Sequence, residues 1–220
     1  MSSQIEDRPE PIMNKIAFDG IIRAVQPRIR LIRSFDQSSH AYLGFVLRIR
    51  GTLAAQLNEF TVGIGTGAQA KHQFRAGDAI SGECLPVADP EKEPVEYYKT
   101  SKLKLTSRPE TTPTAPPPWH RIPPDLPAYR ARGHRRLDAR TYDVHCLTCI
   151  WACRMSVEMI IDHWNPGKKR YRTETFCYGP KSCPLYRPGP TRKVPGRRGM
   201  SWTEEDWVDE QATAHRERDE

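Results

Sequence analysis

Residues 20–51 read GIIRAVQPRIRLIRSFDQSSHAYLGFVLRIRG, and the fold turns on how this stretch is read. Two apolar runs flank Pro27. A turn-rich segment, SFDQSSHA, follows. Beyond it Phe45, Leu47 and Ile49 alternate with Val46, Arg48 and Arg50. Alternation at every second residue marks a strand with one buried face. A proline between two such runs marks a bend, because it fixes φ and withholds a ladder donor.

Working outward, the pattern stays strand-like to about Thr106. EFTVGIG at 59–65 predicts a third strand. AGDAISGECLPV at 76–87 begins with a Gly-Asp turn and predicts a fourth, and VEYYKTSKLKL at 95–105 a fifth. TGAQAKHQF at 66–74 leaves room for a short helix or loop. Five strands over about ninety residues, with a long bent first strand and a break between the third and fourth, resemble an OB-fold. The resemblance covers roughly Asp19 to Leu105, and FRAGDAISGE at 74–83 resembles the turn into the fourth OB strand. Another small β-barrel would fit nearly as well. The resemblance implies nucleic-acid binding across strands two and three. Arg28, Arg30, Arg48 and Arg50 would then face phosphates, with Phe60 or Tyr42 stacking a base. The loop ADPEKEPVE at 88–96 is acidic where such a barrel would be basic.

Beyond the barrel, residues 107–128 contain eight prolines and read as a semi-rigid linker. YRARGHRRLDAR at 129–140 is basic. Five of the chain's six cysteines then fall within forty residues: Cys146, Cys149, Cys153, Cys177 and Cys183, spaced C-x2-C-x3-C and C-x5-C. Without a secretory signal or a long apolar run, the chain is expected in the reducing cytoplasm and off membranes. Clustered thiols there point to a metal rather than to disulfides. Four thiolates in two close pairs suit a structural zinc ion, with Cys153 spare. Three thiols close together, and Pro184 after Cys183, suit a [4Fe–4S] cluster instead. His145 abuts Cys146 and could replace one thiolate. His163 lies far from the others. TCIWACRMSVEMIIDHW has apolar steps of three and four residues and predicts a helix over 149–164, ended by NPG. KKRYRTETF then predicts a returning strand that brings the two cysteine pairs together.

Charge is uneven within a net +7. Residues 166–200 carry ten Lys or Arg and one acid, whereas 204–220 carry eight acids and two arginines. The basic part, with Arg135, Arg136, Arg197 and Arg198, implies an anionic partner. SWTE at 201–204 reads as a capping box opening an acidic helix from Trp202 to about His215. Metalloprotease, nucleophile-elbow, Walker A and deaminase motifs are all lacking.

The expected architecture is therefore mainly β plus α+β. A tail (1–14) precedes an OB-like barrel (15–106) and the linker (107–128). A basic cysteine-rich metal-binding domain (129–200) and an acidic helix (201–220) follow. Non-catalytic nucleic-acid binding is the leading function. An iron–sulfur redox or sensor protein is one alternative. A zinc-stabilised adaptor, recruiting a protein through the acidic end or the proline-rich linker, is the other.

Overall fold

A computed structural model describes residues 14–34, 38–110, 121–162, 164–165 and 167–217. Residues 1–13 of the expected tail, 35–37 of the turn-rich segment SFDQSSHA, the middle of the proline-rich linker (111–120), His163, Pro166 and the last three residues lie outside the described residues.

Strand β1 (Ile16–Arg33) is the spine of the chain. It pairs antiparallel with β2 (Ser38–Leu53) from Phe18 to Arg33. On its other edge, Ile16–Ile21 pair with β4 (Ala79–Pro86). Strand β3 (Gln56–Ile64) continues from β2 as an antiparallel neighbour. The short helix α1 (Thr66–His72) links β3 to β4. Strand β5 (Tyr97–Ser107) pairs antiparallel with β4 and meets β3 in parallel at Val62↔Tyr97. The sheet therefore returns on itself as a ring, β1-β2-β3-β5-β4-β1. Its inward face carries Phe18, Ile22, Phe45, Leu47, Ile49, Phe60, Val62 and Ile80, all buried. The alternation across 45–50 falls as the sequence indicates: Phe45, Leu47 and Ile49 face in, and Arg50 is exposed. At the bulge between Arg28 and Ile29, Gly44 takes φ +131°, a region that only glycine enters without strain.

The second half differs from the helix expected over 149–164. Residues Ala152–Ile160 form strand β7, paired antiparallel with β8 (Lys169–Cys177) in the register Ala152↔Cys177 to Ile160↔Lys169. Cys153, Met155, Val157 and Met159 point into the core, so period two wins over the steps of three and four. The physical reason is β1. Its pairing with β4 stops at Ile21, and Arg30–Arg33 offer a bare edge that Ser156–Met159 fill in parallel. The short strand β6 (Arg135–Arg136), which follows helix α2 (Leu126–Arg132), adds to β8. One continuous sheet thus runs from the ring into the cysteine-bearing region.

The chain end differs as well. SWTE is strand β10 (Ser201–Glu204), a hairpin partner of β9 (Arg192–Pro195), and not a capping box. The helix behind it is shorter than expected: α4 covers Asp206–Thr213, counting the single turn Ala139–Thr141 as α3. Among the described residues no helix is long and apolar enough to cross a membrane.

Where ring and hairpin meet, His40 of β2 lies 4.7 Å, ring to ring, from His134 and faces Tyr42 and Arg33. Burial first, and then the Arg33 charge, push the His40 pKa down to about 4; His134 is pushed the same way. A free histidine takes its proton near 6.5, so between that pH and about 4 the unfolded chain binds the extra proton. Stability is then full above about 6.5 and is lost as the pH falls through the window. The loss expected from His40 is about 1–3 kcal/mol. Urea midpoints across that range check it, with His40→Phe flattening the slope; an unchanged slope in that variant removes His40 as the cause.

Candidate metal centre and cationic surface

The cysteines sit where β1 changes partners. Between Ile21 and Arg30 the outer edge of β1 carries neither β4 nor β7, and the turn 146–149 docks there. Buried Gln26 donates from Nε2 to the carbonyls of Cys146 (2.9 Å) and Cys149 (3.0 Å). Tyr142 Oη donates to Gln26 Oε1 at 2.7 Å, which fixes the amide's orientation. Asp138 accepts from Thr141 N and opens the helical turns that deliver Cys146.

The second pair lies at the end of β8. Cys146, Cys149 and Cys177 share one small buried cluster with Leu137, Tyr142 and Ala152. Each of Cys146, Cys149, Cys177 and Cys183 lies within electrostatic reach of the other three. Burial, then the neighbouring thiols, push Cys146 up to about 12. Burial likewise raises Cys149 and Cys177. Donors converge on the same sulfurs. Gly179 N–H donates to Cys177 Sγ at 3.3 Å, the Trp151 N–H to Cys149, and the Arg135 guanidinium adds positive charge beside Cys177. These groups favour thiolate where burial opposes it. Even so, among the described residues no group of three or more His, Cys, Asp or Glu side chains is gathered tightly enough to hold a metal ion. The four thiols are neighbours, not a closed tetrahedron.

Cys153 stands apart. It is buried in the large core, with its Sγ 3.3 Å from the Pro27 carbonyl. Cys84 is a buried thiol in β4, pushed up to about 11 by burial. His145 is exposed, whereas Cys146 beside it is buried. The strand hairpin brings Cys177 opposite Ala152, so the meeting of the two pairs, expected from a helix and a strand, comes from two strands.

No family model, curated protein or solved structure matches the chain.

The arginines singled out from the sequence divide. Arg28 and Arg30 both bind Glu93, from the acidic 88–96 loop, at 2.6 and 2.7 Å. The Arg28 guanidinium lies over Gly63, where an added Cβ would come within 3.1–3.2 Å of it and force a small shift of that side chain. Arg136 is fully buried; it holds Asp209, Asp206 and the Glu204 carbonyl, docking α4 onto β6. Its donors are spent inside the chain, as are two acids of the helix read as a partner lure. Arg135 stacks on Tyr186 and donates to the Pro180 carbonyl. Arg48 pairs loosely with exposed Glu59 at 3.3 Å, and Arg50 is exposed. Arg197 and Arg198 are exposed in the β9–β10 turn, Arg197 reaching Asp162 at 3.9 Å.

Sequence reasoning missed Arg154 and Arg172. Arg154 lies 4.8 Å from the Tyr142 ring and Arg48 is beside the same phenol, so ring and cysteine segment build one cavity of about 300 Å³. The clue was present, since Arg154 alternates with the inward Cys153 and Met155.

Proposed function

We propose that this is a non-catalytic protein that binds single-stranded nucleic acid, with a zinc ion tying Cys146 and Cys149 to Cys177 and Cys183. The ring reads as an OB-type barrel: it closes β1 on β2 and β4 and joins β3 to β5 in parallel, as expected of that connectivity. The observation that carries the reading is the cavity on the β1–β2–β3 face. Arg48 of the ring and Arg154 of β7 meet there over Tyr142, so a ligand would touch both halves at once. Guanidinia of this kind suit phosphate. The metal supports the site from behind, because the same Tyr142–Gln26 pair that lines the cavity grips the Cys146–Cys149 turn. Two thiol pairs with N–H donors supply the ligand types of a four-coordinate ion, which would have to draw the four sulfurs closer together than they stand.

Fluorescence anisotropy with labelled single strands, repeated over a salt series, tests the reading. With about five phosphate contacts, affinity is expected to fall about 10²-fold between 50 and 200 mM salt. No binding, or binding indifferent to salt, removes it. Elemental analysis of protein purified without oxygen is expected to give one zinc per chain and no colour. A brown protein with visible absorbance assigns the thiols to a [4Fe–4S] cluster instead.

A further inference from the structure

Three clefts run into one another across the sheet. The cavity beside Arg48 shares Arg154 and Thr173 with a second, of about 610 Å³, over β8 and β9. That one shares Arg172 and Lys193 with a third, of about 660 Å³, reaching the β9–β10 turn. The third cleft is lined in part by Lys168, Arg170, Arg172, Lys193 and Arg198, with no acid in its wall among the described residues. The acids along the other two already have partners. Glu93 binds Arg28 and Arg30, Glu96 binds Thr61, and Glu174 binds three arginines. Arg172 Nη2 is buried in the shared wall with no partner among the described residues. Beyond the third cleft, in the β7–β8 turn between Ile161 and Lys168, stands Trp164. It is 83% exposed, and its backbone is held by Asp162.

We infer that these clefts form one continuous path for a single-stranded nucleic acid, from the ring face over Arg154, Arg172 and Lys193 to Arg170 and Arg198, where Trp164 stacks a base. The inference rests on the nucleic-acid reading above and adds to it a route and an end point. Spaced cations with few free acids fit the repeating charge of a phosphate backbone. An indole left 83% exposed in the adjoining turn buries little surface in folding and suits the face of a base. An acidic protein segment would satisfy the cations but would leave the indole without a partner.

The experiment uses the full chain and labelled single strands of about 6 to 20 nucleotides, lengths that bracket the site sizes of such grooves. Arg170→Glu/Arg198→Glu is expected to weaken binding about 30-fold or more and to lower the salt slope by about two contacts. Lys102→Glu/Lys104→Glu makes the same charge change on β5, away from the path, and is expected to alter affinity less than about threefold. Trp164→Leu is expected to abolish the ligand-induced quenching of tryptophan fluorescence and to weaken binding about tenfold. If wild type binds no single strand, the nucleic-acid reading and the path fall together. If wild type binds, Arg48→Ala/Arg50→Ala weakens it and the three path residues do not matter, the path alone is overturned. A poly-glutamate peptide that binds as tightly as the oligonucleotide, without quenching, overturns it in favour of an acidic protein partner.

Discussion

Glu174→Ala is expected to cost about 3–5 kcal/mol of folding stability, among the largest effects of any side chain outside the apolar core. Glu174 is buried on β8, accepts from Arg172 on its own strand and from Arg192 of β9 at 2.5 Å, and forms an ion pair with Arg33 at the end of β1 at 3.5 Å. Arg33 keeps a second partner in Glu204 of β10, at 2.9 and 3.1 Å. Removing the carboxylate leaves Arg192 and Arg172 facing Arg33 in a water-poor junction, with one remaining acid for three cations. Breaking a buried pair from one side costs the uncompensated charge as well as the lost attraction. The exposed pair Arg48–Glu59 provides the scale: Glu59→Ala is expected to change stability by no more than about 1 kcal/mol. Urea denaturation of both variants checks the contrast. In a double variant, Arg33→Met is expected to return part of the loss, since it removes one stranded cation. A Glu174→Ala midpoint within error of wild type would mean that water already reaches the junction and the cluster holds nothing together.

Why that junction escaped a reading of the sequence, while the ring did not, follows from the residues. The ring was legible because β2 alternates over residues 45–50, with Phe45, Leu47 and Ile49 on one face to bury. The same alternation, carried on from Ile29 and Leu31, puts Arg33 on the inward face, a step the sequence reading did not take, and an inward arginine demands a buried acid. Its partners lie 141 and 171 residues along the chain, a separation that no local pattern reveals. The segment 152–160 misled for a different reason. Met155, Met159 and Cys153 are not strong strand formers, and Cys149, Cys153 and Val157 imitate a helical stripe. What made it a strand was the bare edge at Arg30–Arg33, a tertiary fact that overrides weak propensity. The four-cysteine neighbourhood survived this error. Both a helix returning through a strand and a two-stranded hairpin place the start of one segment beside the end of the next, and the register Ala152↔Cys177 does so directly. The choice among five thiols was not legible. It depends on which way residue 153 points, and only the strand assignment sends it toward Pro27.

If the proposed zinc is held by Cys146, Cys149, Cys177 and Cys183, Cys177→Ser is expected to release it and to lower stability by about 3–5 kcal/mol, whereas Cys153→Ala keeps it and loses about 1–2 kcal/mol. The first figure is set below the folding contribution of an isolated zinc module, because here the ring's core does not depend on the ion. The second is the cost of a small cavity in the large core, where Cys153 is buried away from the other thiols. Elemental analysis and thermal melts with and without a chelator read both variants. Wild type and Cys153→Ala should melt lower in chelator, and Cys177→Ser should show no response, having nothing to lose. The damage should also be local. Cys146 and Cys149 are held to β1 by Gln26, and Phe18, Phe45 and Phe60 pack inside the ring, so strand content should persist. Amide exchange should instead rise first along β8 next to Cys177 and in the turn 177–183, the segment nearest the lost thiolate. If Cys153→Ala is the variant that loses metal, or if Cys177→Ser still binds one ion per chain, the pairing of these four cysteines is wrong, and the cavity over Tyr142 loses the support that links it to an ion.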